Sequence, residues 1–375
     1  MTINIEFYGD TNVGKVRQNN EDNFLIVNLA DNNFYNINNP LKELVRLDTN
    51  QKLLFAVADG LGGALAGEIA SQLTVDIVKE RLIQLQNLSI FNEFPFYEKL
   101  RLVVEIVNQV IIEQSLNNVQ CTGMGSTFTG VTICKDEAYI AQVGDSRAYL
   151  IRDNKIMQLT KDQSLVGQLL EAGYITEEEA ENHHLRNVIL QALGGQATVN
   201  VVITRVNLRE NDILLVCSDG LTTSVKNQQI FDIVKNNLDL KIATENLIKM
   251  ANERGGQDNI TVVLAKINHL SNPKETKELE IEILSRDINL PKSINYLELE
   301  IEESKSLTKP IIQQNMEMVI KDSPTIETKI IEEVAENEKQ ESTKPLVKQE
   351  LQLANWRNFG IVLWEELLRI LRFAI

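Results

Sequence analysis

Two hydrophobic rhythms divide the chain. Short apolar runs bounded by Gly, Asp or Asn read as strands covered on both faces, and they cluster near 4–9, 24–29, 53–58, 126–133, 137–143, 147–152, 200–206, 212–217 and 260–266. Residues 64–84 and 98–116 instead repeat apolar positions at spacings of three and four, the period of a helix with one buried face. Runs of strands beside separate helix pairs predict α+β layers, not a doubly wound parallel sheet. Residues 163–198 are a more polar helical excursion, in which Thr176 and Glu179 have capping-box spacing, and they predict a small helical flap subdomain. The Asn-rich stretch at 30–40 reads as an insertion loop. No linker interrupts residues 1–268, so one domain is expected there.

The rhythm then changes. Residues 269–350 are rich in Glu and Lys and poor in aromatics and Gly, a composition that buries too little apolar surface to offset chain entropy, and they read as a mostly disordered linker. Within the final segment, 351–375, the pattern "IVLWEELLRILRFAI" sets Trp364, Leu367, Leu368, Leu371 and Ile375 opposite Glu365, Glu366, Arg369 and Arg372. That predicts an amphipathic helix, read here as docking a protein partner through a flexible tether.

Acids recur where strands begin or stop. "LLFAVADGLGG" (53–63) carries an apolar run into Asp59, and "DILLVCSDGLT" (212–222) repeats the construction at Asp219. "AYIAQVGDSRAYLI" (138–151) reads as a hairpin with Asp145 at its tip. In "GGQDNITVVLA" (255–265) and "RQNNEDNFLIV" (17–27) the order is reversed, so Asp258, Glu21 and Asp22 precede their strands. One Asp-Gly is an ordinary turn. Acids at five core strand ends are better explained by a shared site.

Composition narrows the chemistry. A chain of 375 residues with 43% hydrophobic positions can bury a substantial core, while a net charge of −16 argues against nucleic acid as the main partner. Cys121, Cys134 and Cys217 lack paired spacing and read as reduced core thiols, which predicts a cytoplasmic protein. The N-terminus has no basic leader, predicting no secretory signal, and no stretch reaches the length of a membrane span.

Converging carboxylates repel one another unless cations neutralise them. Oxygen donors suit Mg²⁺ or Mn²⁺, whereas zinc is disfavoured because the only histidines are His183, His184 and His269. Two such ions can acidify a bridging water and clamp a phosphoryl group for in-line attack. Arg17, four residues before Glu21, could grip phosphate bidentately, or it could be a surface residue paired with Glu21. Arg147 reads equally as a salt-bridge partner of a nearby acid or as a functional cation.

The ordered segments "GKVRQNNED", "FAVADGLGGALAGEIAS", "MGSTFTGV", "QVGDSRAYL", "VCSDGLT" and "GGQDNITVV" resemble the motifs of the PPM (type-2C) metal-dependent serine/threonine protein phosphatases, most closely the bacterial branch. The resemblance spans about residues 4–266. It implies a central antiparallel β-sandwich flanked by helix pairs, in four α-β-β-α layers, with two Mg²⁺ or Mn²⁺ ions at one end. Asp22, Asp59, the Gly60 carbonyl, Asp219 and Asp258 match the paired-metal ligands. Arg17 matches the phosphate-binding arginine, Asp145 the ligand of a third, weaker ion, and Glu21 an acid that contacts the metals through water. The implied activity is direct hydrolysis of phosphoserine and phosphothreonine proteins without a covalent intermediate, in opposition to a serine/threonine kinase. Two departures stand out: Gln163 where the family often has His, and Leu61 where bacterial members commonly have Met. A catalytically silent phosphoprotein binder and a two-metal nuclease are the competing expectations; the complete set of acids argues against the first and the acidic composition against the second.

Overall fold

Neighbouring apolar residues in the central strands serve different layers. Along Asp22–Asn28, Phe24 and Ile26 join one buried cluster while Leu25 and Val27 join another, and along Leu53–Leu61 the same alternation separates Phe55 and Val57 from Leu54, Ala56 and Ala58. A strand with two apolar faces has to be covered on both sides. The computed structural model describes residues 2–31, 33–87, 94–271 and 279–286, and it covers these strands with a second sheet on one side and helices on the other.

The elements run in the order β1 (Ile3–Asn12), β2 (Asp22–Asn28), β3 (Phe34–Tyr35), β4 (Val45–Thr49), β5 (Leu53–Leu61), α1 (Ala64–Asn87), α2 (Phe96–Asn117), β6 (Gly125–Ser126), β7 (Phe128–Cys134), β8 (Glu137–Val143), β9 (Arg147–Arg152), β10 (Lys155–Gln158), α3 (Leu165–Glu171), α4 (Glu177–Glu181), β11 (Val202–Asn207), β12 (Ile213–Cys217), α5 (Asp219–Thr222), α6 (Asn227–Asn236), α7 (Leu240–Glu253), β13 (Ile260–Leu270) and β14 (Ile281–Leu284). The first sheet has the order β10-β9-β12-β13-β1-β4, and the second β14-β11-β8-β7-β5-β2-β3, with β6 paired to β5. Their pairings are antiparallel. Helices α1 and α2 share the outer apolar cluster of the second sheet, and α6 and α7 pack with the cluster that includes the first. The α+β sandwich in four layers is therefore the observed architecture.

The apolar periodicity of α1 and α2 is explained by this burial. Ile69, Leu73, Val78, Val103, Val107 and Ile111 are sealed between each other and the sheet. The polar flap holds α3 and α4, and its expected capping box forms: the Thr176 Oγ1 accepts from the Glu179 amide at 3.3 Å, and the Glu179 Oε2 accepts from the Thr176 amide at 2.7 Å.

Two local expectations are corrected, and one edge strand is added. Residues 138–151 do not form a hairpin: β8 pairs with β7 and β11 in the second sheet, whereas β9 pairs with β10 and β12 in the first. Two consecutive strands that are both deeply buried serve a sandwich best from opposite sheets, and Gly144, at φ 105°, makes the sharp crossing. Next to the Asn-rich loop, β4 was not anticipated because its residues Val45, Arg46, Leu47 and Asp48 alternate as a half-exposed edge strand with little apolar signal. The sheet also continues past residue 268, since β13 runs to Leu270 and β14 adds a strand beside β11 within the stretch read as linker. Its alternation of Ile and Glu is that of an edge strand, and composition averaged over a long window hides it. The expected linker beyond residue 286 and the helix at 351–375 lie outside the described residues.

Candidate active site

Sheet register brings the first two acids together. Asp22 opens β2 and faces Asp59 across the β2–β5 ladder, so both stand at the same end of the second sheet. Asp59 is not at a strand terminus: β5 continues to Leu61, with Gly60 and Leu61 paired to Ser126 and Gly125. Asp59 is held by its main chain, its amide donating to Thr127 Oγ1 at 3.0 Å while its carbonyl accepts from the Thr127 amide at 2.8 Å. Gly60 must be glycine because a Cβ there would collide with the Gly67 and Glu21 carbonyls.

The first sheet supplies the opposing acids. Asp219 starts α5, with Ser218 as the single residue between it and the end of β12, and Asp258 precedes β13. The sheets are clasped at this point by Asp22 itself: Ser218 Oγ and Thr261 Oγ1 both donate to Asp22 Oδ2, at 2.6 and 2.7 Å. Asp145 sits on the crossing between the sheets. Together Arg17, Glu21, Asp59, Gly60, Leu61, Asp145, Asn187, Ile189, Asp219, Asp258 and Asn259 line one cavity of about 140 Å³. Asp22 lies behind this lining, almost fully buried, so the cavity collects every acid anticipated from the strand ends except the one that braces it.

Crowded acid is what the electrostatics record. Burial pushes Asp22 up to about 7 against the hydrogen bonds from Ser218 and Thr261, and Asp219 up to about 6. Asp59 is raised well above the carboxylate range by burial and then by Asp22, Asp219, Asp145 and Asp258. Asp145 is raised by burial and by Asp219 and Asp162. Burial also raises Glu21, with Arg17 opposing it.

These residues fit hard divalent cations by donor chemistry. Among the described residues, the lining offers carboxylate and main-chain oxygen with no thiol or imidazole, and Asp145 Oδ1 is a buried oxygen with no hydrogen-bond partner. Among the described residues, no three His, Cys, Asp or Glu side chains are already drawn together as a ligand set.

Both arginines are explained. Arg17, half exposed at the rim, donates through Nη2 to Asp258 Oδ2 at 2.8 Å, so its partner is Asp258 and not Glu21. Arg147 takes the salt-bridge role: it clamps Asp162 through Nε and Nη2, at 2.9 and 2.6 Å, and reaches Tyr149 Oη at 3.2 Å. Gln163, the departure noted above, anchors the Asp145 crossing, its Oε1 accepting from the Gly144 amide at 2.8 Å and its own amide donating to the Gly144 carbonyl at 3.0 Å.

Sequence reasoning passed over several contributors. Asn259 Oδ1 accepts from the Glu21 amide at 2.8 Å while its Nδ2 donates to the Val13 and Asn19 carbonyls, both at 2.9 Å. It ties the loop carrying Arg17 and Glu21 to the start of β13. Asn187 and Ile189 bring the flap into the wall. For Ser218, Thr261, Thr127 and Asn259 the available signal was a polar residue set inside or beside a core strand; for Asn187 and Ile189 there was none, because only folding carries the flap to the site.

The antiparallel sandwich and its acid-lined cavity define an α+β protein with a candidate site for divalent cations, and comparison with known proteins identifies its class. Residues 43–265 match the sequence profile of the family described as Protein phosphatase 2C. The serine/threonine phosphatase stp of Listeria welshimeri is 35% identical over 258 residues, covering 69% of this chain and 94% of that protein. The serine/threonine phosphatase of S. agalactiae superposes with a TM-score of 0.59 at 33% identity, covering 70% of this chain and 100% of that one. The catalytic domain of the serine/threonine protein phosphatase PstP, solved with two manganese ions, gives a TM-score of 0.58 at 30% identity, covering 72% and 100%. The chain belongs to the protein phosphatase 2C family and is a phosphoprotein phosphatase of the PPM type.

Proposed function

We propose that this protein hydrolyses phosphoserine and phosphothreonine side chains of proteins at a pair of Mg²⁺ or Mn²⁺ ions held by Asp22, Asp59, the Gly60 carbonyl, Asp219 and Asp258. The observation that carries the reading is the meeting of Asp59, Gly60, Asp219 and Asp258 from both sheets around one acid-crowded cavity, with Asp22 paired to Asp59 behind its wall. Bound there, such ions would supply a water acid enough to attack phosphorus in line, and positive charge for the phosphoryl oxygens.

The chain's own residues set up that attack. Ser218 and Thr261 fix the rotamer of Asp22 and favour its ionised form, which is the form that binds cations. Arg17 leaves Asp258 and binds the outer oxygens of the substrate phosphate; its exposed position at the rim makes that exchange inexpensive. Asp145 would hold a third, weaker ion, and Glu21 would add negative charge beside the pair. Leu61 and Ile189 are the apolar side chains of the cavity lining. Among the described residues, the cavity wall contains no Ser, Thr, Cys or His, which supports attack by water and no covalent enzyme intermediate, and it leaves water as the proton donor to the departing serine or threonine oxygen. The serine/threonine phosphatase names of the relatives support phosphoproteins as substrates; the chemistry proposed here would oppose that of a serine/threonine kinase. A cytoplasmic location is proposed on the three cysteines, which are free thiols; separately, no helix among the described residues is long and apolar enough to cross a membrane.

Release of inorganic phosphate from a phosphothreonine peptide tests the proposal. Release is expected with Mn²⁺, absent with chelator, and lower by about two orders of magnitude or more in Asp59→Asn and Asp219→Asn at unchanged fold. Near wild-type turnover of either variant at saturating Mn²⁺ would show that the metal site is wrongly assigned.

A further inference from the structure

The strand β14 and the flap share one buried cation. Arg101, on α2, is almost fully buried, and its guanidinium faces two main-chain carbonyls from distant parts of the chain. Nη1 donates to the Val201 carbonyl at 2.6 Å and Nη2 to the Leu284 carbonyl at 2.8 Å, with Glu98 Oε2 3.4 Å from Nε. Val201 is where the chain leaves the flap to enter β11; Leu284 ends β14. One planar fork thus joins the exit of the flap to the segment after the phosphatase motifs.

The connection continues in both directions. Toward the tail, Arg286 Nη2 contacts both carboxylate oxygens of Glu105, one turn along α2 from Arg101, at 2.7 and 2.5 Å. Toward the site, the carbonyl of Asn200, next to Val201, accepts from Gln163 Nε2 at 3.2 Å, and Gln163 grips Gly144 beside Asp145. Farther along α2, Asn108 donates to the Gln196 carbonyl at 3.0 Å and accepts from the Gly194 amide at 2.8 Å, and Gln109 donates to the Ala197 carbonyl at 2.6 Å. The returning leg of the flap, 194–201, is therefore laid along α2 by side chains that read its backbone, and Arg101 closes the row.

We propose that Arg101 is a positioning residue for the flap, and that residues 281–286, by pairing with β11 and supplying the Leu284 carbonyl, belong to the phosphatase domain and hold the flap wall of the cavity in place. Without β14, the edge of β11 loses its ladder and a buried guanidinium loses one of its two carbonyls. The strain reaches Asn200 and Val201 first, then Gln163, and through them the wall formed by Asn187 and Ile189.

The test uses the full chain. Arg101→Gln removes the fork; Glu282→Pro with Ile283→Pro breaks β14 from outside the core, two adjacent prolines being used because successive N–H groups point to opposite sides of a strand. Hydrogen exchange followed by mass spectrometry is expected to show amides at 187–201 exchanging at least tenfold faster in both variants, with no such change in β2 or β5. KM for a phosphopeptide should rise several-fold while kcat at saturating Mn²⁺ stays within about twofold. Arg101→Lys, a point charge that can serve one carbonyl well, should fall between wild type and Arg101→Gln. Combining the prolines with Arg101→Gln should add little to either alone, because both cut the same link. Unaltered exchange at 187–201 in the proline variant would overturn the proposal, as would equal loosening throughout the domain. The kinetic arm rests on the phosphatase reading and the exchange arm does not, so a failure of either is distinguishable.

Discussion

At the scale of single residues, the site balances charge against solvation. Asp22 accepts two hydroxyl hydrogen bonds on one oxygen, and each favours the carboxylate that a cation needs. Removing one in Ser218→Ala should raise the proton affinity of Asp22 further and weaken Mn²⁺ binding by about 10–100-fold, as loss of groups that orient metal ligands commonly does. Titration calorimetry measures this directly; an unchanged affinity would mean that Asp22 does not bind the ion. Arg17 presents the opposite case. Its pair with Asp258 is exposed and contributes about 0–1 kcal/mol to stability, so Arg17→Ala should unfold at nearly the wild-type temperature. Its effect should fall on KM for a phosphopeptide, because binding of the phosphate is common to the ground and transition states. A collapse of metal affinity with KM unchanged would identify Arg17 as structural instead.

Elements matter here through the loops they hold. The segment from Val13 to Glu21 carries Arg17 and lies between β1 and β2, and Asn259 fastens it through one acceptor and two donor hydrogen bonds. Asn259 is itself buried, so Asn259→Ala leaves two carbonyls and an amide short of partners. That should cost about 1–3 kcal/mol of stability and lower kcat/KM more than tenfold, since the loop that aims Arg17 is released. Chemical denaturation and steady-state kinetics on the same preparation check both; full activity in the variant would show that the loop holds itself. The same logic explains the crossing from β8 to β9, where Gln163 supplies from the flap the partners that Gly144 lacks within the strands.

For the whole molecule, the raised acids link stability to pH and to metal. Asp22, titrating near 7, and Asp219, near 6, bind protons more tightly in the fold than in the unfolded chain, where such groups titrate near 3.8. Their contribution to metal-free stability is complete below about pH 4 and is lost as pH rises through about 6 to 7. Over the same window the ionised carboxylates become available to cations. The gap in unfolding temperature between Mn²⁺-loaded and chelated protein should therefore widen from pH 5 to pH 7.5, as scanning calorimetry can show. A gap independent of pH would mean that these carboxylates are already ionised without metal.

Much of this protein was legible before folding because its signals are local. The apolar runs, the helical periods of α1 and α2 and the Thr176 capping box each depend on residues within a few positions of one another. The acids at Asp22, Asp59, Asp145, Asp219 and Asp258 were legible for a related reason: a carboxylate at the end of an apolar run is conspicuous in sequence, even when its neighbours in space are unknown. Pairing between distant segments has no such local signature. That β8 and β9 part into different sheets, that Arg17 faces Asp258 and not Glu21, that Ser218 and Thr261 converge on Asp22, and that β14 closes the second sheet all depend on contacts between segments far apart in the chain. Composition and periodicity determine which residues must be buried or near a core edge; only the tertiary structure decides which of them meet, because that choice is made by packing two sheets and two helix layers at once.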